Sequence, residues 1–309
     1  DVSLGTIFLF IQMSQMLFRP LRQIADKFNS LQMGMVAAER IFEILETHSN
    51  IEDKGTQKPS QINGNICLER LGFSYIPRER IINDISLEIK SGETIALVGA
   101  TGAGKSTIIN LISRFYEFDS GDITIDGISI RKYDLKTLRN KVSVVLQDVF
   151  LFADSLFNNI TLFDSRISKD NVIEAAKNIG VHDFIESLPN GYDYNVKERG
   201  VMLSAGQRQL IAFLRAYISK PSILVLDEAT SSVDSYSEEI IQRAIDTLTK
   251  GKTSIIIAHR LATVKNADRI VVMHKGDIVE QGTHDELLKF KDGYYAKLYD
   301  VQFAEELAV

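Results

Sequence analysis

Eight residues near the first third of the chain constrain it more than anything else: Gly99-Ala100-Thr101-Gly102-Ala103-Gly104-Lys105-Ser106. They fit the spacing G-x-x-x-x-G-K-[ST]. They also stand between an apolar strand-like run, Thr94-Ile95-Ala96-Leu97-Val98, and a helix-like run that starts at Thr107. Glycines at these positions let consecutive backbone N–H groups curl round phosphate oxygens, at a helix N-terminus that already favours negative charge. Lys105 supplies a point charge for the outer phosphates, and the Ser106 hydroxyl suits Mg²⁺. A glycine-rich turn without chemistry is the alternative, and the strand before it and the helix after it speak against that.

A phosphate site with a metal needs a carboxylate as well. Ser222-Ile223-Leu224-Val225-Leu226-Asp227-Glu228 is an apolar run ending in two acids. Asp227 would stand beside the metal and Glu228 would polarise a water for in-line attack on a γ-phosphate. Taken alone, two acids at a strand end could equally be a helix cap. From residue 61 onward, short β-rich runs alternate with helical ones, which predicts an α/β domain with a largely parallel sheet. The whole chain has 309 residues with 35 Lys+Arg against 41 Asp+Glu. That acidic balance gives no global charge reason to bind nucleic acid. Its single cysteine, Cys67, excludes an internal disulfide framework and a Cys-rich zinc site. The strand-like run around Cys67 predicts a small buried core residue.

The first residues depart from this pattern. Val2 to Phe18 is mostly apolar, and as a helix it would cover about 26 Å, slightly short of a hydrocarbon layer. Leu21, Ile24, Phe28, Leu31, Met35, Ala38, Phe42 and Leu45 then recur in steps of three and four, a narrow seam along one long helix. Pro20 would kink that helix or split it. Residues 1–46 therefore read as the end of a membrane domain, a last membrane helix running out into the cytoplasm; the alternative is an amphipathic helix lying on its own domain. Residues 47–60, polar and holding Gly55 and Pro59, read as a linker.

Between the phosphate loop and the acidic strand end lies Leu203-Ser204-Ala205-Gly206-Gln207-Arg208-Gln209. This segment resembles the signature motif of the ATP-binding cassette (ABC) transporters, and the resemblance covers almost the whole chain. The family usually has glycine where Ala205 stands, and the added methyl would crowd a bound γ-phosphate. The resemblance implies a P-loop NTPase core with a mixed, largely parallel sheet. It also implies an antiparallel β subdomain and an α-helical signature subdomain at roughly residues 150–217, with helices at 169–179 and 183–188. A long N-terminal helix precedes them, and residues 61–309 form the nucleotide-binding domain.

The same resemblance implies a site. Tyr75 falls where an aromatic stacks on adenine, although a core aromatic is the alternative for a strand tyrosine. Gly99, Thr101, Gly102, Gly104, Lys105, Ser106 and Thr107 fall at the phosphates. Ser106, Gln147 and Asp227 fall at Mg²⁺. Glu228, His259 and Gln147 take the catalytic positions, with His259 at the γ-phosphate. Ser204, Gly206 and Gln207 would face the ATP of a second nucleotide-binding domain in a head-to-tail dimer, with Ser232-Val233-Asp234 reaching across. The partner would be an identical or an unlike half. Phe18-Arg19-Pro20-Leu21, Lys197-Glu198-Arg199-Gly200 and Gly282-Thr283-His284-Asp285-Glu286-Leu287 are similar to segments of exporters of the multidrug, lipid and peptide groups. The implied activity is ATP hydrolysis driving export across the inner (plasma) membrane, with this domain on the cytoplasmic face and joined to its own membrane domain. Two alternatives stay open: a nucleotide-binding regulatory module with negligible turnover, and a soluble ATPase of the same class acting in translation or DNA repair.

Overall fold

The computed structural model describes residues 2–47, 51–227, 235–258 and 260–302. It divides into two units, residues 1–50 and 51–309. The first is a single helix, α1 (Leu4–Glu46), capped by Ser3, whose side chain accepts from the Thr6 N–H. Pro20 lies inside α1 without splitting it. Standing by itself, this helix buries none of its side chains. Among the described residues no helix is long and apolar enough to cross a membrane.

The second unit begins with a four-stranded antiparallel sheet in the order β2-β1-β4-β5, built from β1 (Ile66–Ile76), β2 (Glu79–Ile89), β4 (Ser120–Ile125) and β5 (Ile128–Ser129). A six-stranded sheet runs in the order β10-β9-β3-β8-β7-β6. Its strands are β3 (Thr94–Val98), β6 (Val142–Val145), β7 (Ile223–Asp227), β8 (Thr253–Ile257), β9 (Arg269–His274) and β10 (Asp277–Gly282). Five are parallel, and β10 pairs antiparallel with β9.

The parallel strands are predominantly apolar because both faces are covered. Ile95 and Leu97 of β3 join one core with the antiparallel sheet and α2 (Lys105–Ile112), while Ala96 and Val98 face a second core with α9 (Leu261–Asn266). In β7, Ile223 and Val225 face the first core, and Leu224 and Leu226 face a third. That third core holds the helical lobe: α4 (Leu156–Thr161), α5 (Lys169–Asn178), α6 (His182–Glu186) and α7 (Ala205–Ile218), together with α8 (Ser235–Thr249). The short helices α3 (Leu135–Lys141), α10 (His284–Leu288) and α11 (Tyr294–Gln302) complete the unit. The helix expected at 183–188 starts one residue earlier and ends two residues sooner, at Glu186.

Two expectations meet differences. Cys67 does lie in β1, but it is only half-buried, because it points to the side of the sheet where Glu69 and Glu88 stand. Burial and these two carboxylates push its thiol above the ordinary value. From Glu52 onward the predicted linker is fastened to the domain. The N–H of Gln57 donates to the Lys132 carbonyl at 3.0 Å, and its own carbonyl accepts from Asp134 N–H at 3.0 Å. Asp53 accepts from Leu135 N–H, and Arg114 donates to the Glu52 carbonyl, each at 3.0 Å.

Candidate functional site

The loop that joins β3 to α2 turns on glycines that need to be glycine. Gly99 has φ +153°, and a Cβ there would sit 2.3 Å from the Met273 carbonyl oxygen. Gly104, with φ +102°, ends the loop directly before α2. A side chain at either position would be strained or would displace backbone. Lys105 is 8 % exposed, and its ammonium donates to the carbonyls of Gly99 at 2.6 Å and Ala100 at 3.1 Å. Burial pulls its pKa below the ordinary lysine value, while the Asp227 carboxylate acts in the opposite direction.

Beside this loop lies a cavity of about 520 Å³ lined by Tyr75, Ile81, residues 101–107, Gln147, Asp227 and Ile257. Thr101, Gly102, Gly104, Lys105, Ser106, Thr107, Tyr75, Gln147 and Asp227 are thus collected at one place from four segments of the chain. Gly99 borders it through the carbonyl that holds Lys105. These segments are the end of β1, the loop after β3, the segment after β6 and the end of β7, so the cavity sits at the carboxyl ends of parallel strands. Its oxygen donors, Ser106, Gln147 and Asp227, are hard ligands that suit Mg²⁺. A single carboxylate among them fits an ion that keeps waters and binds substrate phosphates. Among the described residues no cluster of three or more His, Cys, Asp or Glu could hold a metal by itself.

Tyr75 is not a core aromatic: it is 44 % exposed. Its hydroxyl donates to Thr107 Oγ1 at 3.3 Å and accepts from Asn110 Nδ2 at 3.1 Å. Its ring meets Phe73 at 4.8 Å and Tyr116 at 4.9 Å, both edge to face. Asn110 and Tyr116 escaped the sequence reading. Asn110 stands three residues after Thr107 and therefore on the same face of α2, a spacing that could have revealed it.

Ser204, Gly206 and Gln207 stand at the start of α7, away from the cavity that holds the phosphate loop. Ser204 is the N-cap: its hydroxyl accepts from Gln207 N–H at 3.2 Å, and Gln207 Oε1 accepts from Ser204 N–H at 2.9 Å. This reciprocal capping box fixes the helix entry. Ala205 is the first helical residue and is exposed, while Gly206 is buried. Gln147 also lines a second cavity of about 530 Å³, with Phe150, Arg199, Ala205 and Arg208. Glu228, His259 and the segment Ser232-Val233-Asp234 lie outside the described residues.

Two sheets, a glycine loop at a helix start and an acidic strand end on the same cavity define a P-loop nucleotide-binding domain. The comparisons with known proteins narrow this. Residues 82–231 match the model of the ABC transporter family. The chain is 43 % identical over 304 residues to the ABC transporter ATP-binding protein YknV of Bacillus subtilis, covering 98 % of this chain and 50 % of that protein. It is 45 % identical over 303 residues to the ATP-dependent lipid A-core flippase of Methylobacillus flagellatus, covering 97 % and 52 %. A solved bacterial Atm1-family ABC exporter with ATP bound superposes with a TM-score of 0.79 at 35 % identity, over 96 % of this chain and 52 % of that one. The chain belongs to the ABC transporter family, as an ATPase domain of the exporter type. It spans about half the length of the curated relatives it matches.

Proposed function

We propose that this chain binds and hydrolyses Mg²⁺-ATP to power export across a membrane, as one half of a head-to-tail pair of nucleotide-binding domains. The observation that carries this reading is the single cavity shared by Tyr75, the loop from Thr101 to Thr107, Gln147 and Asp227. Tyr75 would take the adenine on its ring, and the loop N–H groups with Lys105 would hold the triphosphate. Ser106, Gln147 and Asp227 would hold Mg²⁺, which when bound neutralises charge that develops between the outer phosphates. Glu228 would orient and polarise the attacking water, and His259 would contact the γ-phosphate. Ser204, Gly206 and Gln207 of a second domain, identical or unlike, would close over the ATP. The partner's capping box arrives with backbone N–H groups at a helix start, chemistry that suits the γ-phosphate. Nucleotide charge would then join surfaces that part after hydrolysis.

We read α1 as the cytoplasmic end of the last helix of a membrane domain, which puts the domain on the cytoplasmic face of the inner membrane. The apolar seam from Leu21 to Leu45 supports this, since a helix of this length with an unburied seam calls for partner helices. Glu228→Gln in the full chain, in the setting of its membrane domain, tests the reading. ATP hydrolysis should fall by about 10²- to 10⁴-fold, the ordinary contribution of a general base. ATP-dependent association of the two domains should survive. Unchanged turnover would remove Glu228 from the role.

A further inference from the structure

We propose that Asn110 and Tyr116 are positioning residues that hold the Tyr75 ring as a nucleobase platform at a set distance from the phosphate loop. This rests on the reading of Tyr75 given above and adds what makes a half-exposed ring usable there. A stacking surface gains affinity only if its orientation is settled before the base arrives, because ordering a free side chain on binding subtracts from the stack.

Four contacts settle it. Asn110 Nδ2 donates to the Tyr75 hydroxyl at 3.1 Å, and that hydroxyl in turn donates to Thr107 Oγ1 at 3.3 Å. Both partners project from α2, the helix whose start bears the phosphate loop, so the far end of the ring is tied to the element that would hold the triphosphate. The ring plane is set by two near-perpendicular neighbours. Phe73 lies at 4.8 Å with an interplanar angle of 87°, and Tyr116 at 4.9 Å with 87°. Phe73 is 3 % exposed and anchors this cluster in the core, whereas Tyr116 is 45 % exposed and follows α2 in the chain. Tyr116 also meets the Phe73 ring at 5.8 Å, so the three rings form one cluster, and Tyr116 adds to Tyr75 a second edge-to-face neighbour beyond the one the core supplies. Its hydroxyl is not needed for that contact. Base and triphosphate positions thus become parts of one rigid frame: β1 provides the platform, and α2 with its following turn sets where it stands.

The test is calorimetric binding to the full chain of two probes, Mg²⁺-ATP and inorganic tripolyphosphate, which lacks a base. Tyr75→Ala should weaken ATP by about 5- to 150-fold, the range of a lost base–aromatic stack. Asn110→Ala and Tyr116→Ala should each weaken ATP by about two- to tenfold, as for one neutral hydrogen bond or one aromatic pair. Neither should change tripolyphosphate binding, and Tyr116→Phe should bind ATP like the parent. Adding Asn110→Ala to Tyr75→Ala should cost nothing further, since the group it steadies is gone. If Tyr75→Ala weakens ATP but the two neighbours do not, the positioning role is wrong and the platform stands. If Tyr75→Ala leaves ATP unchanged, the platform itself is wrong. Equal losses for ATP and tripolyphosphate in the Asn110 and Tyr116 variants would also overturn the proposal, because that pattern reports damage to the phosphate loop.

Discussion

Replacing Arg215 by methionine should destabilise the nucleotide-binding unit by about 2–5 kcal/mol, because three charge-assisted bonds outweigh the relief of unburying a charge. Arg215 lies in α7, and its guanidinium finds its bonds on neighbouring segments. Nε donates to the Asn159 carbonyl at 2.6 Å, Nη1 to the Phe150 carbonyl at 2.9 Å and Nη2 to Asn159 Oδ1 at 3.2 Å. At about 1.5–3 kcal/mol each, these bonds total roughly 5–9 kcal/mol before compensation. Burial pulls the guanidinium pKa down to about 10 from 12.5. That depression corresponds to a charging penalty on the order of 3 kcal/mol, discounted because part of the group still meets solvent. Methionine fills similar volume and escapes the penalty, but it leaves the Phe150 and Asn159 carbonyls short of a donor. Urea unfolding of the full chain, read as a lower midpoint at unchanged slope, measures the difference. Arg215→Lys should recover less than half of it, since an ammonium cannot reproduce a planar fork spanning two segments. A loss under about 1 kcal/mol for Arg215→Met would show that the bonds and the desolvation cancel, and would refute the reasoning.

Two further outcomes are expected. Gly55→Ala places a Cβ 1.8 Å from the Tyr133 carbonyl oxygen, so the docked stretch 52–58 must lift. Amide exchange at Gln57 and Asp134 should accelerate, and the unit should lose about 1–3 kcal/mol; unchanged exchange would mean the backbone accommodates the methyl elsewhere. For Lys105, burial holds the pKa below the ordinary 10.5, and a bound triphosphate would push it back up. Binding should therefore take up protons, and affinity should fall as pH rises into the window between the lowered value and 10.5. Calorimetry in buffers of different ionisation enthalpy at alkaline pH reads the uptake; its absence, or proton release, would remove Lys105 from the phosphates.

What the sequence made legible is what side-chain chemistry encodes. The strands β3, β7 and β8 announce themselves as largely apolar runs because each feeds a core on both faces. The phosphate loop is legible because glycine is the residue that tolerates φ +153° at Gly99 and φ +102° at Gly104. The docking of residues 51–60 was illegible for the opposite reason. Its bonds join backbone groups of Gln57, Lys132 and Asp134 and distant partners such as Arg114 and Leu135, and neither kind leaves a compositional trace in a polar stretch. Cys67 misled because a strand-like run fixes alternation but not which face is covered. Ala205, which departs from the family's usual glycine, is the first residue of a boxed helix, where alanine costs nothing in helix propensity. Tyr116 could not be read at all, since it reaches Tyr75 from the turn after α2 across to a different strand.

Gln147 borders two cavities of the nucleotide-binding unit. It lines the cavity with Lys105 and Asp227, and it lines the second cavity with Ala205 and Arg208. Three residues further on, the Phe150 carbonyl is gripped by Arg215, and Phe152 is gripped through both its N–H and its carbonyl by the fully buried Asn159, at 2.8 and 3.0 Å. The Arg215–Phe150 bond meets solvent, whereas the two Asn159 bonds are partly buried and hold Phe152 the more firmly. Together with Val149, which packs against the helical core, these bonds fasten the segment after Gln147 to the helical lobe.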